Sequence, residues 1–300
     1  MIRPPYLTKG SKVGIVSPAG ITGKSDIEPA IRILKSWGLN VLRGKHLYTK
    51  YNFFAGTDSK RLGDFQKMLD DPEIRAIFCS RGGYGIIRFI DKLDFSRFLQ
   101  HPKWIAGYSD ITILHCYLNK HLKCTSLHGI MPKNFINSGD DGSLISLKKA
   151  IFGEKLTYDV SNHEYNKKGA ASGELVGGNL SILYSLQATP HEIETNDKIL
   201  FIEDVNEVVY HIDRMMINLK LSGKLARLKG LIVGGMTKIS DTEPAYGKTA
   251  YEVISDAVAE YNYPVIFGFG AGHMYPNLAL LMGSQVELDV DNKTARISFK

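Results

Sequence analysis

Residues 107–110, Gly-Tyr-Ser-Asp, contain the side chain with the clearest potential for covalent chemistry. The apolar residues before this run predict a strand, and the apolar periodicity after it predicts a helix. A serine at such a strand–turn–helix elbow is held out of the sheet. The N–H of the next residue, Asp110, then lies beside its Oγ and can stabilise an oxyanion. Ser109 is therefore a candidate nucleophile, with a purely helix-capping role as the alternative.

A nucleophilic serine needs a base and an acid that orients the base, and two other predicted strand ends supply candidates. His273 follows a glycine-rich stretch, and histidine takes and returns protons near neutral pH. Glu203 ends an apolar run, where a carboxylate can be fixed and partly buried. Asp204 and Glu207 compete for the orienting role, although helix capping explains both more simply. A histidine satisfied by loop backbone is the alternative for His273.

Surface or packing roles are expected for most other histidines, which lie in predicted helices, polar loops or the middle of the chain. This set comprises His101, His115, His121, His128, His163 and His191. His115 and His128 are also candidates for the wall of a site. The sequence has no cysteine or histidine pair at metal-ligand spacing, no Walker sequence and no G-x-G-x-x-G run, so we expect neither a metal nor a cofactor.

Glycine is abundant, at 29 of 300 residues, and it clusters at the ends of predicted strands. The clusters fall at positions 82, 83 and 85; 107; 177 and 178; 234 and 235; and 268, 270 and 272. Ligand sites of open α/β sheets lie at the carboxyl ends of strands, where glycine lets backbone N–H groups approach a ligand. One such cluster is typical of an ordinary turn, whereas five together favour a site.

The elements that must position these residues change in character along the chain. Strand and helix patterns alternate in the first half, with helices predicted at 58–69 and 86–90, which predicts a mainly parallel sheet covered by helices. A polar stretch lacking helical period follows, and the second half has more antiparallel character. We therefore expect an N-terminal α/β domain (1–152) with the nucleophile, an interdomain crossover (153–172), and a C-terminal domain (173–300) with the glutamate and histidine.

Length and composition limit the class of protein. At roughly 150 residues per domain, 300 residues predict two domains. The net charge of +6 is too small and too dispersed to indicate a nucleic-acid partner. Three cysteines, no apolar leader and no run long enough to span a membrane predict a soluble cytoplasmic protein without disulfides or a membrane partner.

Five motifs, in this order, resemble those of the LD-carboxypeptidase family of serine peptidases, which includes murein tetrapeptide carboxypeptidases and microcin C self-immunity proteins. They lie at 80–85 (Ser-Arg-Gly-Gly-Tyr-Gly), 107–110 (Gly-Tyr-Ser-Asp), 176–180 (Val-Gly-Gly-Asn-Leu), 201–207 (Phe-Ile-Glu-Asp-Val-Asn-Glu) and 270–273 (Gly-Ala-Gly-His). The resemblance covers essentially the whole chain. It implies a flavodoxin-like N-terminal parallel sheet with helices on both faces, and a smaller β-rich α+β C-terminal domain.

The resemblance also implies roles for individual residues. Ser109 would be the nucleophile, His273 the base and Glu203 its orienting acid, with no metal and with a homodimer as the common assembly. The oxyanion hole would be formed by the backbone N–H groups of Asp110 and Gly83, with Gly82 as a second candidate for the latter.

The implied substrate is a small peptide, the murein tetrapeptide, from which the cytoplasmic murein enzymes remove the terminal D-alanine during peptidoglycan recycling. Arg81, Tyr84 and Asn179 are the predicted substrate-binding residues. A guanidinium can bind a terminal carboxylate bidentately. A structural role in holding the glycine loop is the alternative for Arg81.

Two other functions remain open. A peptidase of the microcin-immunity type, cleaving peptidyl-nucleotide conjugates, would need an aromatic clamp for the base. The loop 236–247 holds only Tyr246, and both Trp37 and Trp104 lie in predicted core elements, which disfavours this function. A non-enzymatic small-molecule binding protein, with Ser109 only as a cap, is the third hypothesis.

Overall fold

The computed structural model describes residues 1–137 and 142–300, and the chain divides into two compact units. The first comprises Met1–Glu154 with Leu278–Leu281, and the second comprises Lys155–Asn277 with Met282–Lys300. The elements of the first half are, in order, β1 (Lys12–Val16), α1 (Lys24–Ser36), β2 (Asn40–Arg43), α2 (Asp58–Asp70), β3 (Ile74–Cys79), α3 (Ser96–Gln100), β4 (Trp104–Gly107), α4 (Thr112–His121), β5 (Ser126–His128) and α5 (Ser143–Phe152).

The second half continues with β6 (Thr157–Ser161), β7 (Gly169–Asn179), α6 (Leu180–Ser185), β8 (Ile199–Val205), α7 (Val209–Leu221), β9 (Gly230–Thr237), α8 (Ala250–Ala257), β10 (Val265–Ile266), β11 (Leu280–Met282), β12 (Gln285–Val290) and β13 (Thr294–Phe299). Short 3₁₀ turns occupy Ile86–Arg88, Ile90–Lys92, Ser109–Ile111 and Pro132–Asn137.

The sheet of the first unit has the strand order β11-β5-β4-β3-β1-β2 in the described residues. The pairs from β2 to β5 are all parallel, giving the 2-1-3-4-5 order of flavodoxin-like sheets, whose connecting helices cover both faces. Strands buried on both faces read as continuous apolar runs, and β1, β3 and β4 are almost entirely buried. The predicted fold class is therefore confirmed for this unit.

Local signals set the ends of α2. Thr57 caps its start by accepting a hydrogen bond from the N–H of Lys60 at 3.4 Å. At its end the buried ammonium of Lys103 donates to the carbonyls of Met68, Leu69 and Asp71 at 3.0, 2.7 and 2.6 Å. Lys103 thus satisfies carbonyl groups that a helix end leaves without intrahelical partners.

The sheet of the second unit has the order β10-β9-β8-β7-β12-β13-β6 in the described residues. Strands β7 to β10 pair in parallel, whereas β7, β12, β13 and β6 pair antiparallel. Strand β7 serves both halves: its first part pairs with β12 and its last five residues pair with β8. This mixed sheet with helices α6 to α8 is the β-rich α+β arrangement predicted for the second half.

Two local features differ from expectation. The helix predicted at 86–90 consists of two 3₁₀ turns, Ile86–Arg88 and Ile90–Lys92. The stretch 153–172, expected to connect the domains, contains β6 and the start of β7, which belong to the second unit. Strand β6 is held by β13, more than 130 residues later, and a pairing so distant leaves no local pattern.

Candidate active site

Ser109 lies at a strained turn directly after β4. Its φ angle is +66°, in the left-handed region, which is costly for a residue other than glycine. Gly107 allows the turn to close, because a Cβ there would lie 2.7 Å from Cγ1 of Ile111. The N-cap position of α4 is occupied by Ile111, so Ser109 is not the cap of this helix.

The glycine loop after β3 contacts this serine. A Cβ on Gly82 would lie 2.7 Å from Cβ and 2.8 Å from Oγ of Ser109, so only glycine lets the loop approach this closely. The Gly82 carbonyl accepts a hydrogen bond from the N–H of Gly20 at 3.0 Å, and Gly83 has a φ angle of +116°. The loop that carries the predicted glycine oxyanion donor is therefore packed beside the predicted nucleophile.

Two buried side chains hold this elbow in place. Neither side chain was assigned to the chemistry in the sequence analysis. His115 is fully buried, with Nε2 2.9 Å from the Gly107 carbonyl and Nδ1 2.8 Å from Oγ of Ser126. Burial lowers the pKa of His115 to about 4, so its ring is neutral near pH 7 and holds the end of β4 rather than exchanging protons. The Asp110 carboxyl is also buried and accepts a hydrogen bond from the N–H of Ile86 at 3.0 Å.

In the second unit, Glu203 and His273 are in direct contact. Oε2 of Glu203 lies 2.8 Å from Nδ1 of His273 and accepts the His273 N–H at 3.0 Å. Glu203 is fully buried, whereas the imidazole keeps about 20% of its surface exposed. The carboxylate therefore fixes both the backbone and the ring of the histidine and favours the tautomer with its proton on Nδ1.

Glycines make room for this pair. A Cβ on Gly272 would lie 2.5 Å from Oε2 of Glu203, and one on Gly234 would lie 2.6 Å from the Ala271 carbonyl. The register between β8 and β9 shifts between Ile202 and Asp204, so a bulge stands beside Glu203. Bulges commonly re-aim a side chain next to a site. Two of the glycine clusters thus shape the backbone around the acid and the histidine.

The two competing acids have other partners. Asp204 accepts hydrogen bonds from Nδ2 of Asn179 at 2.9 Å and from the N–H of Ser181 at 2.8 Å, at the start of α6. Burial raises the pKa of Asp204 to about 7. Glu207 lies 3.0 Å from Nδ1 of His211, one helical turn away. Of the three acids, Glu203 is the one that contacts His273.

The three predicted substrate-binding residues differ in their surroundings. Nη1 of Arg81 donates to the Ile21 carbonyl at 3.0 Å, a contact that holds the glycine loop. Tyr84 is 45% exposed, and its ring centroid lies 6.0 Å from that of Phe54. Asn179 is buried, and its Oδ1 accepts the N–H of Ile182 at 3.2 Å as the N-cap of α6.

Within residues 1–137 and 142–300, no group of three or more histidine, cysteine, aspartate or glutamate side chains is arranged to hold a metal ion. In the same residues, none of the helices combines the length and apolarity required to span a bilayer.

Comparison with known proteins gives concordant results for both halves of the chain. Residues 13–129 match the model of the LD-carboxypeptidase N-terminal domain, and residues 172–288 match that of the LD-carboxypeptidase C-terminal domain. A probable murein peptide carboxypeptidase of Bacillus subtilis is 36% identical over 98% of this chain and 94% of its own length. The microcin C7 self-immunity protein of Escherichia coli is 26% identical over 97% of this chain and 94% of its own.

The fold has a close counterpart among solved structures. The crystal structure of muramoyltetrapeptide carboxypeptidase from Oxalobacter formigenes superposes with a TM-score of 0.87 at 26% identity. The match covers 96% of this chain and 98% of that one, so the similarity extends over the whole architecture.

Proposed function

Because the chain belongs to the LD-carboxypeptidase family, and is thus a serine-type carboxypeptidase, we propose that it hydrolyses the L,D amide bond before the terminal D-alanine of murein tetrapeptides. In this proposal Ser109, His273 and Glu203 form the catalytic triad. The observation that carries the proposal is the 2.8 Å contact between Glu203 Oε2 and His273 Nδ1, the acid–base half of a triad.

The proposed reaction begins with proton transfer. With its Nδ1 proton held by Glu203, His273 has its basic lone pair on Nε2, which takes the proton of Ser109 as Oγ attacks the carbonyl preceding D-alanine. The N–H groups of Asp110 and Gly83 stabilise the negative oxygen of the tetrahedral intermediate. His273 protonates the leaving amine, and a water molecule, activated in the same way, hydrolyses the acyl-enzyme.

The φ angle of +66° at Ser109 supports the nucleophile assignment because a nucleophile elbow is a sharp, strained turn between a strand and a helix. The close packing of Gly82 against Oγ supports a role for the glycine loop. Relatives described as murein peptide carboxypeptidases support the substrate class. In keeping with it, we propose that the protein acts on recycled peptides in the cytoplasm, as a homodimer.

A microcin-type activity is the second candidate, favoured by the E. coli relative of 26% identity. The loop 236–247 and the two tryptophans are the parts of the sequence assessed above as sources of an aromatic clamp for a base. Tyr246 is 37% exposed, and its N–H is bound to the Asp241 carboxylate at 2.8 Å, whereas Trp104 is fully buried. We therefore rank this activity below murein peptide hydrolysis.

A panel of substrates analysed by mass spectrometry tests the proposal. The panel contains L-Ala-γ-D-Glu-diamino acid-D-Ala, its analogue ending in L-alanine, a pentapeptide ending in D-Ala-D-Ala, and an aspartyl-nucleotide conjugate. We expect loss of one D-alanine from the tetrapeptide alone. Cleavage of the conjugate without cleavage of the tetrapeptide would replace the proposal by the microcin-type activity.

Variants test the acid in the same assay. Glu203→Gln should lower turnover of the tetrapeptide by about 10⁴-fold, the loss known for an orienting acid replaced by its amide. Glu207→Gln is the matched control, since that carboxylate faces His211, and it should stay within threefold of the unchanged protein.

A further inference from the structure

The carboxyl group of Asp110 has no part in the reaction described above, although its residue follows the nucleophile directly. The side chain is fully buried, and Oδ2 accepts the N–H of Ile86 at 3.0 Å. The N–H of Gly85 also stabilises the ionised form. Both donors lie at the far end of the glycine loop, residues 80–86, so one carboxyl group joins the nucleophile elbow to that loop.

The other end of the glycine loop is fixed independently. The N–H of Ser80 donates to the Val16 carbonyl at 2.7 Å, and the Ser80 hydroxyl lies 2.6 Å from that of Ser17. Between these two anchors the backbone of Gly82 lies against Ser109. The position of the loop beside the nucleophile is therefore fixed at its start by the Ser80 contacts, in its middle by the Gly20 and Ile21 backbone, and at its end by Asp110.

We propose that the Asp110 carboxyl group is a positioning element that holds the two oxyanion donors, its own N–H and that of Gly83, at the correct separation. The inference rests on the proposed function. The donors belong to different loops, and Asp110 is the residue that supplies one donor and binds the segment carrying the other. If one donor were displaced by a fraction of an ångström, the enzyme would still bind its substrate but would stabilise the negative oxygen of the intermediate poorly.

Charges around this carboxyl group explain how it can be buried. The guanidinium of Arg61 is fully buried on α2, donates to the Pro18 carbonyl at 2.6 Å, and packs against Gly85 so closely that a Cβ there would clash. Its attraction to Asp110 offsets part of the cost of burial, which still raises the pKa of Asp110 to about 7. Arg61 also pairs with Asp58, which binds Arg88 at the surface.

The test measures kcat and KM for D-alanine release separately in Asp110→Ala and Asp110→Asn. Alanine removes the acceptor and should lower kcat by about 100-fold, the cost of a misplacement of about 1 Å, with KM within threefold. Asparagine keeps one acceptor oxygen for the Ile86 N–H and should lose less, about 10-fold, on the same scale. This graded loss in kcat alone is not expected from a side chain that only stabilises the fold.

Asp64→Asn is the matched control, because that buried carboxylate accepts the N–H of His46 at 2.6 Å away from the elbow, and it should leave kcat unchanged. Unchanged kcat in Asp110→Asn would overturn the inference, and that variant decides the matter if Asp110→Ala does not fold. Ser109→Ala is measured in parallel. If it stays active, the proposed function fails; if it is inactive while both Asp110 variants keep full kcat, only this inference fails.

Discussion

Replacing Gly272 by alanine would disturb the Glu203–His273 pair without removing either side chain. The new Cβ would lie 2.5 Å from Oε2 and 2.6 Å from Cβ and Cγ of Glu203, whereas ordinary contact begins at 3.4 Å. The carboxylate or the loop must therefore move by about 1 Å, a displacement that can cost about 100-fold in rate. We expect kcat for D-alanine release to fall by about that factor.

The same change should also cost stability. The φ angle of Gly272 is +104°, which adds about 1–2 kcal/mol of backbone strain, and overpacking adds about 1–3 kcal/mol. Gly223→Ala is the control, because Gly223 has a φ angle of +75° but no described atom within 4 Å beyond its chain neighbours. It should show the strain alone and keep its activity.

Urea unfolding and steady-state kinetics of the two variants distinguish these effects. The packing argument predicts that Gly272→Ala unfolds at lower urea than Gly223→Ala and is far less active. Equal midpoints together with D-alanine release within threefold of the unchanged protein would refute it.

Three further predictions concern other described contacts. Gly82→Ala should lower kcat by about 100-fold, because its Cβ would lie 2.8 Å from Oγ of Ser109. The control Gly63→Ala, at an exposed position on α2, should keep full kcat. Equal kcat values for the two variants would refute the close packing of Gly82 against Ser109. Burial lowers the pKa of Lys103 from 10.5 to about 8, so the unfolded chain binds more protons than the folded chain between these pH values. The free energy of unfolding, measured in urea relative to Lys103→Met, should therefore rise from pH 8 to pH 10.5. Burial raises the pKa of Asp110 from 3.8 to about 7, so the folded chain binds more protons than the unfolded chain between about pH 4 and 7. The free energy of unfolding relative to Asp110→Asn should therefore rise as the pH falls from about 7 to 4. A difference that stays flat with pH would contradict either titration prediction.

The parallel sheet was predictable because its information is local. Strands β1, β3 and β4 are short apolar runs with glycine at, or at most four residues after, their ends, and the predicted helix at 58–69 is α2 within one residue. Strand β2 is largely exposed and β5 has only three residues, so their signals are weaker. The glycine clusters also had a local signature. The structural role of each glycine has no such local signature, because the clash that excludes a side chain at Gly272 comes from Glu203, 69 positions earlier.

The acid of the site illustrates the limit of sequence reasoning. Glu203, Asp204 and Glu207 follow one apolar run, and each is a plausible orienting acid by type alone. Successive side chains of a strand point to opposite faces, so Glu203 and Asp204 must meet different partners. Which of them meets His273 depends on the bulge opposite them and on a loop 70 residues later, neither of which a local pattern contains.

The support beneath the nucleophile was missed for a related reason. His115 was expected to have a packing role or to line the wall of a site, and its contact with the Gly107 carbonyl, eight residues earlier, has no signature in the sequence. For Asp110, only the backbone N–H was considered in the sequence analysis, and the carboxyl group was given no role. Its carboxyl partners lie more than 20 residues earlier, in a segment where the sequence predicted a helix rather than 3₁₀ turns.

The rate of D-alanine release by Ser109→Ala tests the central claim most directly, using L-Ala-γ-D-Glu-diamino acid-D-Ala and Ser36→Ala, an exposed serine on α1, as the control. The proposed triad predicts a loss of at least about 10⁴-fold in kcat for Ser109→Ala, with a folded protein that still binds the tetrapeptide, and no change for Ser36→Ala. Release by Ser109→Ala within 10-fold of the unchanged protein would contradict the proposal that this serine is the nucleophile.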